Sequence, residues 1–159
     1  MPNGYFHRVH KDTQTRFWIN NPSADDLEKA IAAGAVNCTT NPSYCSKLLQ
    51  SEPKYIRGVI DQVVKTEKNT DRAAMKVYHA VSARIMERFL PLYKASGGQE
   101  GFVTIQDDPR RDYDADHTVK VNLKAAKFGR NFMAKIPVIS GGSEAIGELV
   151  ARNIPVCAT

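Results

Sequence analysis

Residues 17–42 read Phe17-Trp18-Ile19-Asn20-Asn21-Pro22-Ser23-Ala24-Asp25-Asp26-Leu27-Glu28-Lys29-Ala30-Ile31-Ala32-Ala33-Gly34-Ala35-Val36-Asn37-Cys38-Thr39-Thr40-Asn41-Pro42. Phe17 to Asn20 is a short aromatic and apolar run of strand type. It stops at Asn21-Pro22, because proline cannot donate to a ladder and disfavours helix in the residue before it. Ser23, with Asp26 three residues on, approximates a capping box, and Leu27, Ala30 and Ile31 form an apolar stripe that Gly34 ends. Ala35 to Thr40 reads as a second strand, closed by Asn41-Pro42. A strand, a helix and a strand in this order fit parallel strands joined by a crossover.

The same grammar runs to the end of the chain. Ile56, Val59, Ile60, Val63 and Val64 recur at helical spacing, and a longer helix follows Thr70-Asp71 with Val77, Val81, Ile85, Phe89 and Leu92, ended by Gly97-Gly98. Gly101 to Gln106 is a third strand. Asp116 or Thr118 opens a helix carrying Val119, Leu123 and Ala126, which Gly129 closes. Phe132 to Val138 is a fourth strand, Gly141-Gly142-Ser143 leads into a helix carrying Ile146, Leu149 and Val150, and Pro155 to Thr159 starts a fifth strand. The pattern alone leaves two architectures open, a doubly wound sheet and a (β/α)8 barrel. A complete barrel needs roughly 200 residues or more, so these strands are a piece of a barrel or something else.

Composition bounds the class. The chain has 159 residues, 42% hydrophobic and 25% charged, which suits one core-forming domain and excludes a disordered or fibrous protein. No apolar run approaches the ~20 residues of a membrane span, and residues 1–16 read as a polar leader without a secretory apolar region. Cys38, Cys45 and Cys157 form an odd set with no CxxC pair, which fits reduced thiols and a cytoplasmic location. The net charge of +5 favours anionic partners, but the basic residues are scattered and form no stripe of nucleic-acid-binding type.

Several motifs fail on their chemistry. Asp112, Asp114 and Asp116 begin like a calcium loop, but His117 stands where glycine is needed and Leu123 where the terminal glutamate is needed. His7 and His10 lack a further metal ligand. Gly141-Gly142-Ser143 before a helix could receive an anion, as many helix starts could.

Lys135 is the informative residue, because a charged lysine inside the apolar strand Phe132-Met133-Ala134-Lys135-Ile136-Pro137 is costly if buried. Period-two alternation puts Phe132, Ala134 and Ile136 on one face, and Met133 and Lys135 on the other. In a parallel barrel Lys135 then points inward near the carboxyl end of its strand, where barrel chemistry sits. Desolvation lowers a lysine pKa and leaves an amine able to attack a carbonyl. The competing reading is an edge-strand lysine that deters aggregation. Asn20, Asn41, Gln106 and Thr159 also sit at the carboxyl ends of strands, and this convergence favours a Schiff-base site.

These segments together resemble the transaldolases and the related fructose-6-phosphate aldolases. The matching blocks are Phe17 to Asn20; Thr39-Thr40-Asn41-Pro42-Ser43; Gly101 to Gln106 followed by Arg110 and Tyr113-Asp114; Ala134-Lys135-Ile136-Pro137; and Asn153-Ile154-Pro155-Val156 leading to Thr159. The resemblance implies a (β/α)8 TIM barrel of which residues 17–159 cover about the first five strands. It implies a transferase or aldolase of carbohydrate metabolism, in the pentose phosphate pathway, acting on sugar phosphates with no metal and no organic cofactor. Lys135 matches the imine-forming lysine. Asn41 and Thr39 match positions that hold the three-carbon unit, and Thr159 matches a threonine that helps hold a catalytic water. Gln106 falls where transaldolases carry glutamate and the fructose-6-phosphate aldolases carry glutamine.

Two departures shape the expectation. Asn20 stands where the family has an aspartate, and an amide cannot serve as general acid or base near neutral pH. With Gln106 this leaves the site without an obvious carboxylate. The later strands and their phosphate contacts are also missing, so the chain is expected to be a fragment, a homo-oligomer, or half of a barrel completed by a second chain. The reading is a transaldolase-like enzyme; its rival is a non-catalytic fragment or scaffold that binds sugar phosphate or a partner subunit. Neither nucleic acid nor membrane is an expected partner.

Overall fold

The Ser23 hydroxyl accepts the N–H of Asp26 at 3.2 Å while the Asp26 carboxylate accepts the N–H of Ser23 at 3.3 Å. This closed capping box starts helix α2 (Ala24–Ala33), and Gly34 ends it in the left-handed region at φ 106°. Strands β1 (Trp18–Asn20) and β2 (Asn37–Thr39) flank the helix and pair in parallel. The computed structural model describes residues 4–159.

The remaining strands are β3 (Val103–Gln106), β4 (Phe132–Ile136) and β5 (Val156–Ala158), and all five are parallel in the order β1-β2-β3-β4-β5. A doubly wound sheet reverses its strand order at a switch point. Here every crossover advances in the same direction, and the sheet curls into half of a TIM-type barrel with its helices outside.

The helical layer departs from the sequence reading in places. Residues 5–12, read as part of a polar leader, form helix α1 (Tyr5–Asp12), with Phe6 stacked on Phe17 at 4.0 Å between ring centroids. Between β2 and β3 the structure has α3 (Tyr44–Ser51), α4 (Pro53–Thr66) and α5 (Thr70–Ala95). Pro53 separates the first two, since it ends one helix and suits the first turn of the next. Helix α6 (Ala115–Ala125) starts earlier than expected because Asp114 caps it through the N–H of His117, and α7 (Ser140–Ala151) already contains Gly141 and Gly142. Among the described residues no helix is long and apolar enough to cross a membrane.

The core lies between the convex face of the sheet and these helices. Cys38, Val103, Ile105, Phe132, Ala134 and Ile136 are buried there against Leu48, Ile56, Val81, Ile85, Phe89 and Leu149. Burial of this apolar surface, at about 25 cal/mol per Å2, is the dominant force holding helices to sheet. A polar clamp joins α3, α4 and α5. Arg84 donates to both carboxylate oxygens of Glu52, at 2.6 and 3.1 Å, and to the Tyr44 hydroxyl at 3.3 Å, with its guanidinium 4.0 Å above the Tyr55 ring.

Candidate active site

Because strand side chains alternate, one face of the sheet takes the apolar set and the concave face takes the rest. The parallel registers place Asn20 beside Thr39, Thr39 beside Thr104, and Thr104 beside Met133. One step nearer the carboxyl ends, Gln106 lies beside Lys135 and Lys135 beside Cys157. The alternating burial of Phe132 to Ile136, with Met133 and Lys135 only partly buried, puts Lys135 on the concave side.

The two threonines of Thr39-Thr40 part company. The Thr39 hydroxyl accepts from Thr104 Oγ1 at 3.0 Å on the concave face. Thr40 is fully buried, and its hydroxyl meets the Tyr78 hydroxyl and the Thr104 carbonyl, both at 2.7 Å. The Tyr78 hydroxyl also accepts the backbone N–H of Gln106 at 3.1 Å, which anchors the end of β3 to helix α5. Burial pushes the Tyr78 phenol up to about 12.

Above β2, the orientation of Asn41 is fixed. Its Oδ1 accepts from the N–H of Ser43 at 3.0 Å, from the Ser43 hydroxyl at 2.5 Å, and from Asn21 Nδ2 at 3.3 Å. With the carbonyl oxygen engaged three times, Asn41 presents its amide Nδ2 as the group able to donate to a ligand. Asn21 makes this possible by adopting φ 45°, a left-handed conformation that asparagine tolerates better than most residues. The sequence reading used Asn21 only as a strand stop. An Asn-Pro pair just after a strand is the signal that could have marked it.

The Lys135 side chain has no hydrogen bond or ion pair among the described residues. Burial raises the pKa of the neighbouring Cys157 thiol, and the Lys135 charge opposes that rise. Asn20 is exposed at the end of β1. Thr159 follows β5, donating its N–H to the Ile136 carbonyl at 3.0 Å and accepting from Val138 at 2.8 Å. Thus Thr39, Gln106 and Lys135 stand on three adjacent strands, Asn41 caps β2, and Asn20 and Thr159 occupy the two flanks.

The structure also brings in a carboxylate. Asp112 is 9% exposed, and its Oδ2 accepts from Gln106 Nε2 at 3.4 Å. The next residue, Tyr113, packs so closely on α7 that a Cβ at Gly141 would lie 2.0 Å from its carbonyl oxygen. A Cβ at Gly142 would lie 2.0 Å from the Pro137 carbonyl oxygen. Close packing therefore accounts for the glycine pair that the sequence offered as an anion seat.

The remaining motifs have structural uses. His10 meets Glu100 at 3.0 Å, His7 Nε2 lies 3.2 Å from the Ala32 carbonyl, and Asp114 caps α6. Among the described residues no cluster of three His, Cys, Asp or Glu side chains could hold a metal ion.

Comparison with known proteins matches nearly the whole chain to one family. The family model for transaldolase/fructose-6-phosphate aldolase matches residues 17–159. The chain is 31% identical over 156 residues to transaldolase 1 of Streptomyces avermitilis, a match covering 93% of this chain and 41% of that protein. It is 28% identical over 150 residues to the transaldolase of Mycobacterium ulcerans, covering 89% of this chain and 40% of that protein. The chain thus spans about two fifths of the length of the curated relatives it matches.

Proposed function

Because the chain belongs to the transaldolase/fructose-6-phosphate aldolase family, we propose that it takes part in Schiff-base aldol chemistry on a sugar phosphate, with Lys135 as nucleophile. The observation that carries this reading is the setting of Lys135. It lies partly buried on the concave face, without a counter-ion among the described residues, beside Gln106 and one strand further from Thr39.

The chemistry follows from an amine in that setting. Lys135 Nζ adds to the ketose carbonyl, and the carbinolamine loses water to give an iminium. The C3–C4 bond then breaks, its electron pair passing into the iminium to form an enamine. The C4 hydroxyl proton leaves to a base or water as the aldehyde departs. Addition of the enamine to a second aldehyde, followed by hydrolysis of the new iminium, makes the process a transfer; protonation of the enamine and hydrolysis make it a cleavage. The lysine nitrogen is itself the electron sink. Asn41 Nδ2 and the Thr39 hydroxyl orient the bound dihydroxyacetone unit, while Gln106 and Thr159 position water.

The outer edges of β1 and β5, unpaired among the described residues, support closure of the barrel by further strands, whether of the same polypeptide, another copy or a second chain. A cytoplasmic setting suits the free thiols of Cys38, Cys45 and Cys157. One observation favours a second reading: Asn20 offers an amide where the family has a carboxylate, as suits a non-catalytic scaffold that binds sugar phosphate.

The test is release of glyceraldehyde 3-phosphate from fructose 6-phosphate, with and without an acceptor aldose phosphate, in a coupled assay. The proposed function expects product that disappears in Lys135→Met. Equal rates in the two proteins contradict it, and binding without product selects the scaffold.

A further inference from the structure

Gln106 and Asp112 form a pair that the nucleophile reading does not use. Four acidic residues crowd the segment after β3, and three have basic partners. Asp107 meets His117 at 2.9 Å, Asp108 meets Arg110 at 2.6 Å, and Asp114 meets Arg111 at 2.6 Å. Asp112 is the most buried of the four, and among the described residues no cation pairs with it. Its hydrogen bond goes to Gln106, an amide that brings no charge. Burying a carboxylate in that way is costly, and groups so placed cluster at functional sites.

The placement is rigid on both sides. Gln106 is tied to α5 through the Tyr78 hydroxyl at its backbone N–H. Asp112 ends a short 3-10 turn (Pro109–Arg111) and precedes Tyr113, whose backbone is pressed on Gly141. An ionised carboxylate has no proton to donate, so only the Nε2 side of the Gln106 amide can face it.

We propose, resting on the Schiff-base reading above, that Asp112 is a positioning residue which locks the Gln106 amide with Nε2 turned away and Oε1 left as an acceptor beside Lys135. Gln106 then accepts from a water or a substrate hydroxyl at the reacting carbons. Without Asp112 the amide turns freely and offers donor and acceptor alike. Asp112 thereby supplies a carboxylate that neither Asn20 nor Gln106 provides, one step removed from the substrate.

Burial raises the Asp112 carboxyl pKa, the Gln106 hydrogen bond opposes the rise, and Asp107 and Asp108 add to it. The other charged groups at this corner are His117 on α6, Arg110 and Arg111 on the 3-10 turn, and Lys135 across Gln106 on β4.

The test uses the full chain with fructose 6-phosphate and borohydride, comparing three-carbon with six-carbon adducts on Lys135 by mass. Asp112→Ala is expected to keep total adduct but lower the three-carbon share about tenfold, the scale of one lost orienting hydrogen bond. Gln106→Glu is expected to impair cleavage as well, by facing two carboxylates. Combining it with Asp112→Asn restores a donor facing an acceptor and should return the share to within about threefold, since the orientation is rebuilt. A wild-type share in Asp112→Ala, or a double variant no better than Gln106→Glu alone, overturns the proposal. If the wild type forms no adduct, the Schiff-base reading falls and the lock is judged by NMR. The Gln106 side-chain amide signals must then show a pH titration that Asp112→Asn abolishes. Its absence overturns the proposal.

Discussion

Asn21 and Asn41 clasp each other across the carboxyl ends of β1 and β2. Asn21 Nδ2 donates to Asn41 Oδ1 at 3.3 Å, and the Asn41 backbone N–H donates to Asn21 Oδ1 at 3.2 Å. The clasp turns Asn41 Nδ2 outward as a donor, yet it requires Asn21 to hold φ 45°. Asn21→Gly keeps the backbone comfortable and deletes the clasp. It is expected to weaken fructose 6-phosphate binding about fivefold, the value of one net hydrogen bond, measured by calorimetry with the circular dichroism spectrum unchanged.

Two glycines of α7 give opposite predictions. Gly141→Ala places a Cβ 2.0 Å from the Tyr113 carbonyl oxygen, and is expected to destabilise by about 1–3 kcal/mol as overpacking. A Cβ added at Gly147 meets nothing within 4 Å, so Gly147→Ala is expected to stabilise by about 0.5–1 kcal/mol through helix propensity. Thermal melts of both variants check the pair.

The clamp of Glu52 and Arg84 has an acid signature. The Arg84 hydrogen bond holds the Glu52 carboxyl below the usual carboxylate range, against a smaller opposing effect of burial. A depressed carboxylate contributes stability that is present above its unfolded value of about 4.3 and is lost as pH falls through the folded value. Glu52→Gln is expected to cost about 1–3 kcal/mol at neutral pH, with a smaller further loss than wild type on acidification, read from urea midpoints.

Tyr78 makes the alkaline counterpart. Its phenol is pushed up to about 12 by burial, so its contribution is present below the unfolded value of about 10 and is lost as pH rises toward the folded one. Tyr78→Phe also leaves the Gln106 N–H without its 3.1 Å partner. A loss of about 1–3 kcal/mol is expected near neutrality, together with a shallower decline in stability above pH of about 10.

Much of this arrangement is legible in the sequence. Alternation from Phe132 to Ile136 fixes the face of Lys135, and Ser23 with Asp26 fixes the start of α2, because both depend on neighbours a few residues away. Strand order distinguishes barrel from doubly wound sheet, and no local pattern contains it. Helix α1 rests on Phe6 meeting Phe17, a contact that its polar composition does not announce. Asp112 reads as part of a failed calcium loop, since its approach to Gln106 requires the 3-10 turn at Pro109 to fold the segment back. Asn21 is hidden for a similar reason, as its partner lies twenty residues away.

The central claim is that Lys135 forms an imine with a sugar phosphate. Incubation with fructose 6-phosphate and borohydride, followed by intact-mass measurement and peptide mapping, tests it most directly. A reduced three-carbon adduct on Lys135, absent in Lys135→Met, is the predicted result. A folded chain that carries no adduct on Lys135 contradicts it.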